Sequence, residues 1–131
     1  MSVTYADNTD SGVNRAQAEG VVLHELEKVY HPKYVLVVYL PTEEVEKIAK
    51  NTPNLSHKII SKAEYDAKYK HSDQAPETCS VTLETVELSN SSALILGGVP
   101  FYSLSGWQDK FYLKKVQGKW TIVKREKYLV A

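Results

Sequence analysis

The sequence predicts an α+β domain in which N-terminal helices pack on a curved antiparallel β-meander. Helical spacing and helix-capping residues are concentrated between residues 15 and 70. From residue 79 onward, β-branched and aromatic residues occur in short segments separated by Asn-Ser and Gln-Gly turns. Helices that precede a run of consecutive strands favour an α+β arrangement over βαβ winding.

Length and composition are those of one globular domain. The 131 residues leave room for a single core, which we expect residues 15–131 to form. Residues 1–14 are small and polar, and they predict a flexible N-terminal arm.

The first predicted helix starts at Arg15. Apolar residues then recur at the helical spacing of Val22, Leu26 and Val29. Because proline interrupts a helix, we expect this one to end before Pro32.

A buried strand and two shorter helices follow. The segment KYVLVVYL, residues 33–40, is β-branched and aromatic, as buried strands are. A helix over residues 43–50 has Thr42 as its expected N-cap. Ser61 and Glu64 have capping-box spacing and predict a third helix that ends near Lys70.

The rest of the chain predicts an antiparallel meander. In the strand CSVTLETVELS, Val81 and Leu83 are out of phase with Val86 and Leu88, which predicts a β-bulge. The strands expected after it are residues 93–96, 110–116 and 119–130, with residues 97–106 as a loop.

The last two strands predict a hairpin with a two-residue turn at Gln117-Gly118. Its register places Lys115 opposite Trp120, Leu113 opposite Ile122, and Phe111 opposite Lys124. The core face would carry Phe111, Leu113, Trp120 and Ile122. The opposite, mostly solvated face would carry Tyr112, Lys114, Val116, Lys119, Thr121, Val123 and Arg125. A bulge at Gly118 would exchange the two faces.

Net charge is zero, so bulk electrostatics give no reason to expect a nucleic acid or an anionic membrane as partner. Residues 71–109 hold five acids and no Lys or Arg, whereas residues 110–127 hold seven bases and one acid. We expect these two segments to complement each other within the fold, with partner recruitment as the alternative.

Motifs for metal, nucleophilic or phosphate chemistry are missing from the sequence. His24-Glu25 lacks the second histidine of H-E-x-x-H, and Cys79 is the single cysteine. Neither a G-x-S-x-G elbow nor a phosphate-binding glycine loop occurs. We therefore expect no metal and no cofactor. Without a visible signal peptide we expect a cytoplasmic protein, or a secreted or periplasmic one if a signal peptide was removed.

A family resemblance covers about residues 59–131. The segments ISKAEY, LSNSSALI and FYLKKVQGKWTIVKREKYLVA resemble a family of small uncharacterised bacterial α+β proteins with a "GKWxIVK" closing hairpin. The hairpin is also similar in style to the end of NTF2-like (cystatin-like) domains. The resemblance implies helices wrapped around a curved antiparallel sheet. This chain ends in YLVA, where that family is expected to end in an aromatic-x-Ser/Thr motif.

Two sets of residues are candidates for function. The loop GGVPFYSLSGW is more apolar than a solvated loop requires, so Phe101, Tyr102, Leu104 and Trp107 predict a binding surface, or a loop folded back over the sheet. If the domain has the pocket of an NTF2-like enzyme, the candidates for its acid/base groups are Tyr39, Asp109, Tyr112 and Tyr102.

These features predict a small soluble protein-interaction or ligand-binding module. The alternatives are an NTF2-like pocket enzyme, of isomerase, dehydratase or cyclase type, and an immunity or inhibitor protein that presents acids of residues 73–87. The expected partner is a second copy or another protein, with a small-molecule ligand as the other option, and neither nucleic acid nor membrane.

Overall fold

Three helices and one six-stranded mixed sheet make up residues 3–100 and 106–130, the part of the chain that this computed structural model describes. The helices are α1 (Val3–Glu27), α2 (Thr42–Asn51) and α3 (Lys62–Tyr69). The strands are β1 (Val35–Val38), β2 (Ile59–Ser61), β3 (Thr78–Leu88), β4 (Ser92–Val99), β5 (Trp107–Val116) and β6 (Lys119–Val130). Their order across the sheet is β2-β1-β3-β4-β5-β6.

Helix α1 begins at Val3, whereas the sequence predicts a flexible arm over residues 1–14. Asn, Asp, Ser and Thr lower helix stability only moderately, and this segment has no proline to interrupt the helix. Asn14 is only 8% exposed and accepts a hydrogen bond from the Trp120 indole, so contacts with the sheet begin before the expected boundary at residue 15.

Strands β1, β2 and β3 run parallel, which corrects the prediction of a wholly antiparallel sheet. β1 pairs in parallel with β2 on one side and with β3 on the other. Parallel neighbours need crossover connections, which here contain α2 and α3. Strand β2 has three residues, too few for its pairing to be recognised from periodicity.

The two short helices start as local sequence dictates, with one difference. The Ser61 hydroxyl accepts a 3.1 Å hydrogen bond from the Glu64 amide, which confirms the predicted N-cap of α3. The N-cap of α2 is Pro41 and not Thr42, because the Thr42 hydroxyl lies 2.6 Å from the Ser61 hydroxyl instead.

Strands β3 to β6 form the predicted antiparallel meander. The register of β3 shifts between Thr85 and Glu87, which confirms the predicted bulge. Strand β4 continues through Gly98, where the sequence predicts a loop. A Cβ at Gly98 would lie 2.1 Å from the Trp107 carbonyl oxygen, so the glycine permits close approach of β5.

The terminal hairpin has the predicted two-residue turn. Gln117 and Gly118 have φ angles of 51° and 78°, as a turn with two positive φ values requires. Lys115 pairs with Trp120 and Leu113 pairs with Ile122, as predicted.

Beyond Ile122 the predicted register is wrong. Val123 is an extra residue in β6, so Phe111 pairs with Arg125 and not with Lys124. A second extra residue, Tyr128, lies between the partners of Gln108 and Asp109. The first bulge moves Arg125 from the predicted solvated face to the face that carries Phe111.

The hydrophobic core lies between helices α1 and α2 and one face of the sheet, which we call the core face. We call the opposite side of β3–β6 the outer face. The buried core side chains of the sheet include Val81, Leu83, Ile95, Phe111 and Leu113, and those of the helices include Val22, Leu23, Leu26, Val45 and Ile48. Phe111 and Ile95 are 0% exposed, so the part of the core face beneath α1 is closed to solvent.

Candidate functional site

A shallow pocket of about 290 Å³ lies on the core face, where β5 begins and β6 ends. Its described lining consists of Trp107, Asp109, Arg125 and Lys127, and we call it the end pocket. Asp109 pairs with Gly97, over which Val22 and Leu26 of α1 pack. The end pocket therefore borders the helix-covered core.

Strand geometry brings the four side chains to one face. Trp107 and Asp109 are two residues apart in β5, so they share a side of the sheet. Asp109 pairs with Lys127, and Phe111 pairs with Arg125. Because β6 carries an extra residue at Val123, Arg125 joins this face, and the sequence pattern alone would place it on the other side.

Arg125 is held in a defined position by three neighbours. Its Nε donates a 2.7 Å hydrogen bond to Oδ2 of Asp109. Its Cζ lies 4.8 Å from the Phe111 ring centroid and 5.8 Å from the Trp107 ring centroid. The Asp109 side chain is 13% exposed and the Arg125 side chain 40% exposed. The guanidinium is thus fixed at its Nε edge, in a side chain that is partly exposed to solvent.

The end pocket has a net positive charge. Arg125 and Lys127 supply two cations, and Asp109 supplies one anion that is committed to Arg125. Arg125 uses its Nε for the hydrogen bond to Asp109. The two terminal nitrogens of Arg125 bond to none of the described residues. The hydrogen bond from Lys28 mainly holds the pKa of Glu25 low, and the nearby charge of Arg125 adds to that effect.

The predicted binding-surface residues are only partly described. Trp107 lines the end pocket. Phe101, Tyr102 and Leu104 lie outside the described residues, so their part in the predicted surface stays a prediction.

The predicted enzymatic residues Tyr39, Asp109 and Tyr112 do not come together. Asp109 and Tyr112 are three apart in β5, whose pairing with β4 has no register shift, so they face opposite sides of the sheet. The Tyr112 hydroxyl donates a 2.8 Å hydrogen bond to Glu126, which raises the pKa of Tyr112. Tyr39 follows β1, and two strands, β3 and β4, lie between β1 and β5 in the sheet.

Sequence reasoning missed a buried carboxyl at the seam between α1 and α2. Glu19 is 1% exposed and accepts a 2.9 Å hydrogen bond from the Thr85 hydroxyl, and Arg15 lies 3.5 Å away. Burial raises the pKa of Glu19, and the charge of Glu44 adds to that rise. Glu19, Arg15 and Glu44 border a small cavity of about 140 Å³.

A second buried carboxylate, Glu27, ties the end of α1 to the connection between α2 and β2. It accepts hydrogen bonds from the Ser56 amide at 2.9 Å and the His57 amide at 3.0 Å. The nearest ring nitrogens of His57 and His24 lie 2.7 Å and 2.8 Å from its oxygens. Burial alone would raise the pKa of Glu27, but these hydrogen bonds outweigh burial and hold the pKa below its ordinary value.

Both glutamates could have been suspected from the sequence. Glu19 falls three residues after Ala16 and four before Leu23, on the apolar stripe of α1, and Glu27 is eight residues further along. A carboxylate on the core-facing side of a helix is a signal of a buried polar contact.

The described residues contain no group of three or more His, Cys, Asp or Glu side chains that could hold a metal ion. No helix in the described part of the chain is long and apolar enough to cross a membrane. Comparisons with protein-family models, curated proteins and solved structures find no match to this chain.

Proposed function

We propose that this protein is a binding module whose recognition surface is the end pocket. One observation carries the proposal: Arg125 is stacked against two aromatic rings and held by Asp109, yet 40% of its side chain reaches solvent. A cation fixed in advance loses little conformational freedom when it binds a partner, which favours affinity. Trp107 supplies an aromatic wall beside that cation, and Trp and Arg are the residue types that dominate binding surfaces.

An interaction role draws more support than the alternatives that the sequence leaves open. An acid/base enzyme needs an available proton acceptor next to its substrate, whereas Asp109 of the end pocket is paired with Arg125. An immunity or inhibitor role would use a concentrated acidic patch. Here Glu77 is paired with Lys33, and Glu84 and Glu87 share the outer face with the bases Lys110, Lys114 and Lys124, so these acids form no concentrated acidic patch.

We also propose that the domain is related to NTF2-like or cystatin-like folds. In its support, a long helix, α1, covers the antiparallel meander β3–β6. The parallel strands β1 and β2 are an addition to that plan.

The proposal is tested by fragment binding to the isotope-labelled chain, followed by nuclear magnetic resonance. A library of small acids, bases and neutral aromatics is titrated, and shift changes are mapped. We expect the changes to cluster at the Trp107 indole, the Asp109 amide and the Arg125 Nε. Clustering on the outer face, around Tyr112 and Leu94, or no response to any fragment, would overturn the proposed function.

Neighbouring residues of β6 provide a matched pair of variants. Arg125→Ala removes the fixed cation, whereas Lys124→Ala removes a cation that pairs with Tyr112 on the outer face. We expect fragment binding to be lost in the first variant and kept in the second. Equal loss in both would assign the response to general destabilisation and contradict the assignment of the site.

A further inference from the structure

We propose that the end pocket recognises a carboxylate attached to an aromatic or other planar apolar group. This inference rests on the proposed binding function and adds the chemical class of the ligand. It follows from the hydrogen-bonding capacity of Arg125, from the residual charge of the pocket and from the aromatic wall.

The edge of Arg125 that no described residue contacts matches a carboxylate. A guanidinium has five N–H donors, and Asp109 takes the one on Nε. The edge formed by the two terminal nitrogens bonds to no described residue. Two parallel N–H groups on such an edge match the two oxygens of a carboxylate, and this bidentate pairing is stronger and more directional than a single ion contact.

The residual charge also favours a monoanion. Asp109 offsets one of the two cations, Arg125 and Lys127, so the pocket keeps one net positive charge. The nearby carboxylate of Glu25 is paired with Lys28 at 2.8 Å. A carboxylate neutralises that single charge. A phosphate dianion would leave a negative charge in the pocket without a partner.

Trp107 determines which kind of group should accompany the carboxylate in the ligand. This side chain is partly buried against the core and lines the end pocket, with Arg125 Cζ at 5.8 Å from its ring centroid. An apolar or aromatic group that enters beside the guanidinium would pack on the remaining exposed ring surface. Such a carboxylate could belong to a free aromatic acid or to the C-terminal residue of a peptide.

Matched acids and amides separate these possibilities. The full chain is titrated with phenylacetate and phenylacetamide, with N-acetyl-glycyl-phenylalanine and its C-terminal amide, and with phenyl phosphate. Each acid is expected to bind at least about tenfold more tightly than its amide, as a charge-assisted hydrogen-bonded pair implies. Tighter binding of the dipeptide acid would identify a peptide C-terminus as the source, and tighter binding of phenylacetate a free aromatic acid. Either result supports the inference.

Variants check that the effect comes from the Arg125 edge. Arg125→Lys keeps the charge but loses the bidentate edge, so carboxylate binding should weaken by roughly tenfold while thermal unfolding changes little. Lys127→Gln should weaken binding several-fold, and Lys124→Gln, on the outer face, should have no effect.

Different results would overturn the carboxylate inference and the binding function. If amides or phenyl phosphate bind the end pocket as tightly as the acids, the carboxylate inference is overturned and the binding function stands. If no probe shifts the resonances of Trp107, Asp109 and Arg125, the binding function is overturned with it.

Discussion

Two buried glutamates of α1 respond to pH in opposite directions. Glu27 has a pKa below the ordinary value of 4.5, so its contribution to stability is present above pH 4.5 and is lost as pH falls through the folded-state pKa. Glu19 has a pKa above 4.5, so its contribution is present below pH 4.5 and is lost as pH rises through the folded-state pKa.

Substitution of Glu27 should be strongly destabilising at neutral pH. Glu27→Gln removes the charge on which two amides and two histidine rings converge, so we expect a loss of about 3 kcal/mol in the free energy of unfolding, measured by urea denaturation. The variant should also lose part of the acid-induced destabilisation of the parent chain.

Glu25 offers the control for that substitution. It is two residues away and pairs with Lys28 at the surface of the helix, so Glu25→Gln should change stability by less than about 0.5 kcal/mol. Equal losses in the two variants would mean that the Glu27 contacts contribute no more than a surface pair.

Substitution of Glu19 should instead stabilise the protein at neutral pH. Glu19→Gln removes a buried charge but keeps an oxygen that accepts from Thr85, so we expect a gain on the order of 1 kcal/mol at pH 7. Urea titrations at several pH values measure it, and the gain should shrink toward pH 4 as the parent carboxyl takes up its proton. A gain independent of pH would contradict the assignment to ionisation.

At the scale of elements, Gly20 of α1 packs against Thr52, the residue that caps the C-terminus of α2. A Cβ at Gly20 would lie 1.9 Å from the Thr52 hydroxyl oxygen and 3.0 Å from the Thr52 Cβ, so Gly20→Ala requires Thr52 or the helices to shift. We expect a net loss of about 2 kcal/mol in the free energy of unfolding measured by calorimetry, although alanine has a better helix propensity than glycine.

Gly12, on the same helix, is the matched control. The nearest atom to a Cβ there is Lys47 Nζ at 3.7 Å, an ordinary contact. Gly12→Ala should therefore stabilise α1 by about 0.5–1 kcal/mol. Thr52→Ala should restore part of the stability lost in Gly20→Ala, and a failure to do so would show that the clash lies elsewhere.

The elements that the sequence predicts correctly are those fixed by neighbours in the chain. The cap at Ser61, the turn at Gln117-Gly118 and the bulge at Val86 depend on a few adjacent residues and leave a visible pattern. The parallel pairing of β1 with β2 and β3 depends on contacts distant in sequence. Periodicity carries no information on it.

Local sequence predicts the candidate site only in part, for the same reason. Trp107 and Asp109 stand out by residue type and position. Strict alternation predicts the wrong face for Arg125, because the bulge at Val123 leaves no break in the apolar pattern of the sequence. Regular alternation predicts well only where the ladder is regular.

At the scale of the molecule, stability should be unevenly distributed. Helix α1 and strands β3–β5 share one core cluster, whereas α3 has no buried residue. We therefore expect amides of α3 to exchange hydrogen at least about tenfold faster than those of α1 between Ala18 and Leu26, as measured by mass spectrometry or magnetic resonance. Equal protection in both helices would indicate that the chain opens only as a whole.

The sheet edge formed by β6 bears on self-association. This edge strand is long, but its two extra residues interrupt the hydrogen-bonding ladder, and Lys119, Lys124 and Lys127 are exposed along it. Bulges and lysines are the features that keep edge strands from pairing with one another. We expect that a dimer, if light scattering detects one, contacts through another surface.

The two tryptophans occupy opposite environments on the same hairpin. Trp120 is 7% exposed and donates to Asn14, whereas Trp107 borders solvent beneath Arg125. The unmodified chain therefore contains two intrinsic fluorophores with separate uses. Emission from Trp120 should stay blue-shifted and respond only to unfolding, and emission from Trp107 should respond to quenchers and to occupancy of the end pocket. Single Trp→Phe substitutions would let one optical titration follow folding and the other follow recognition.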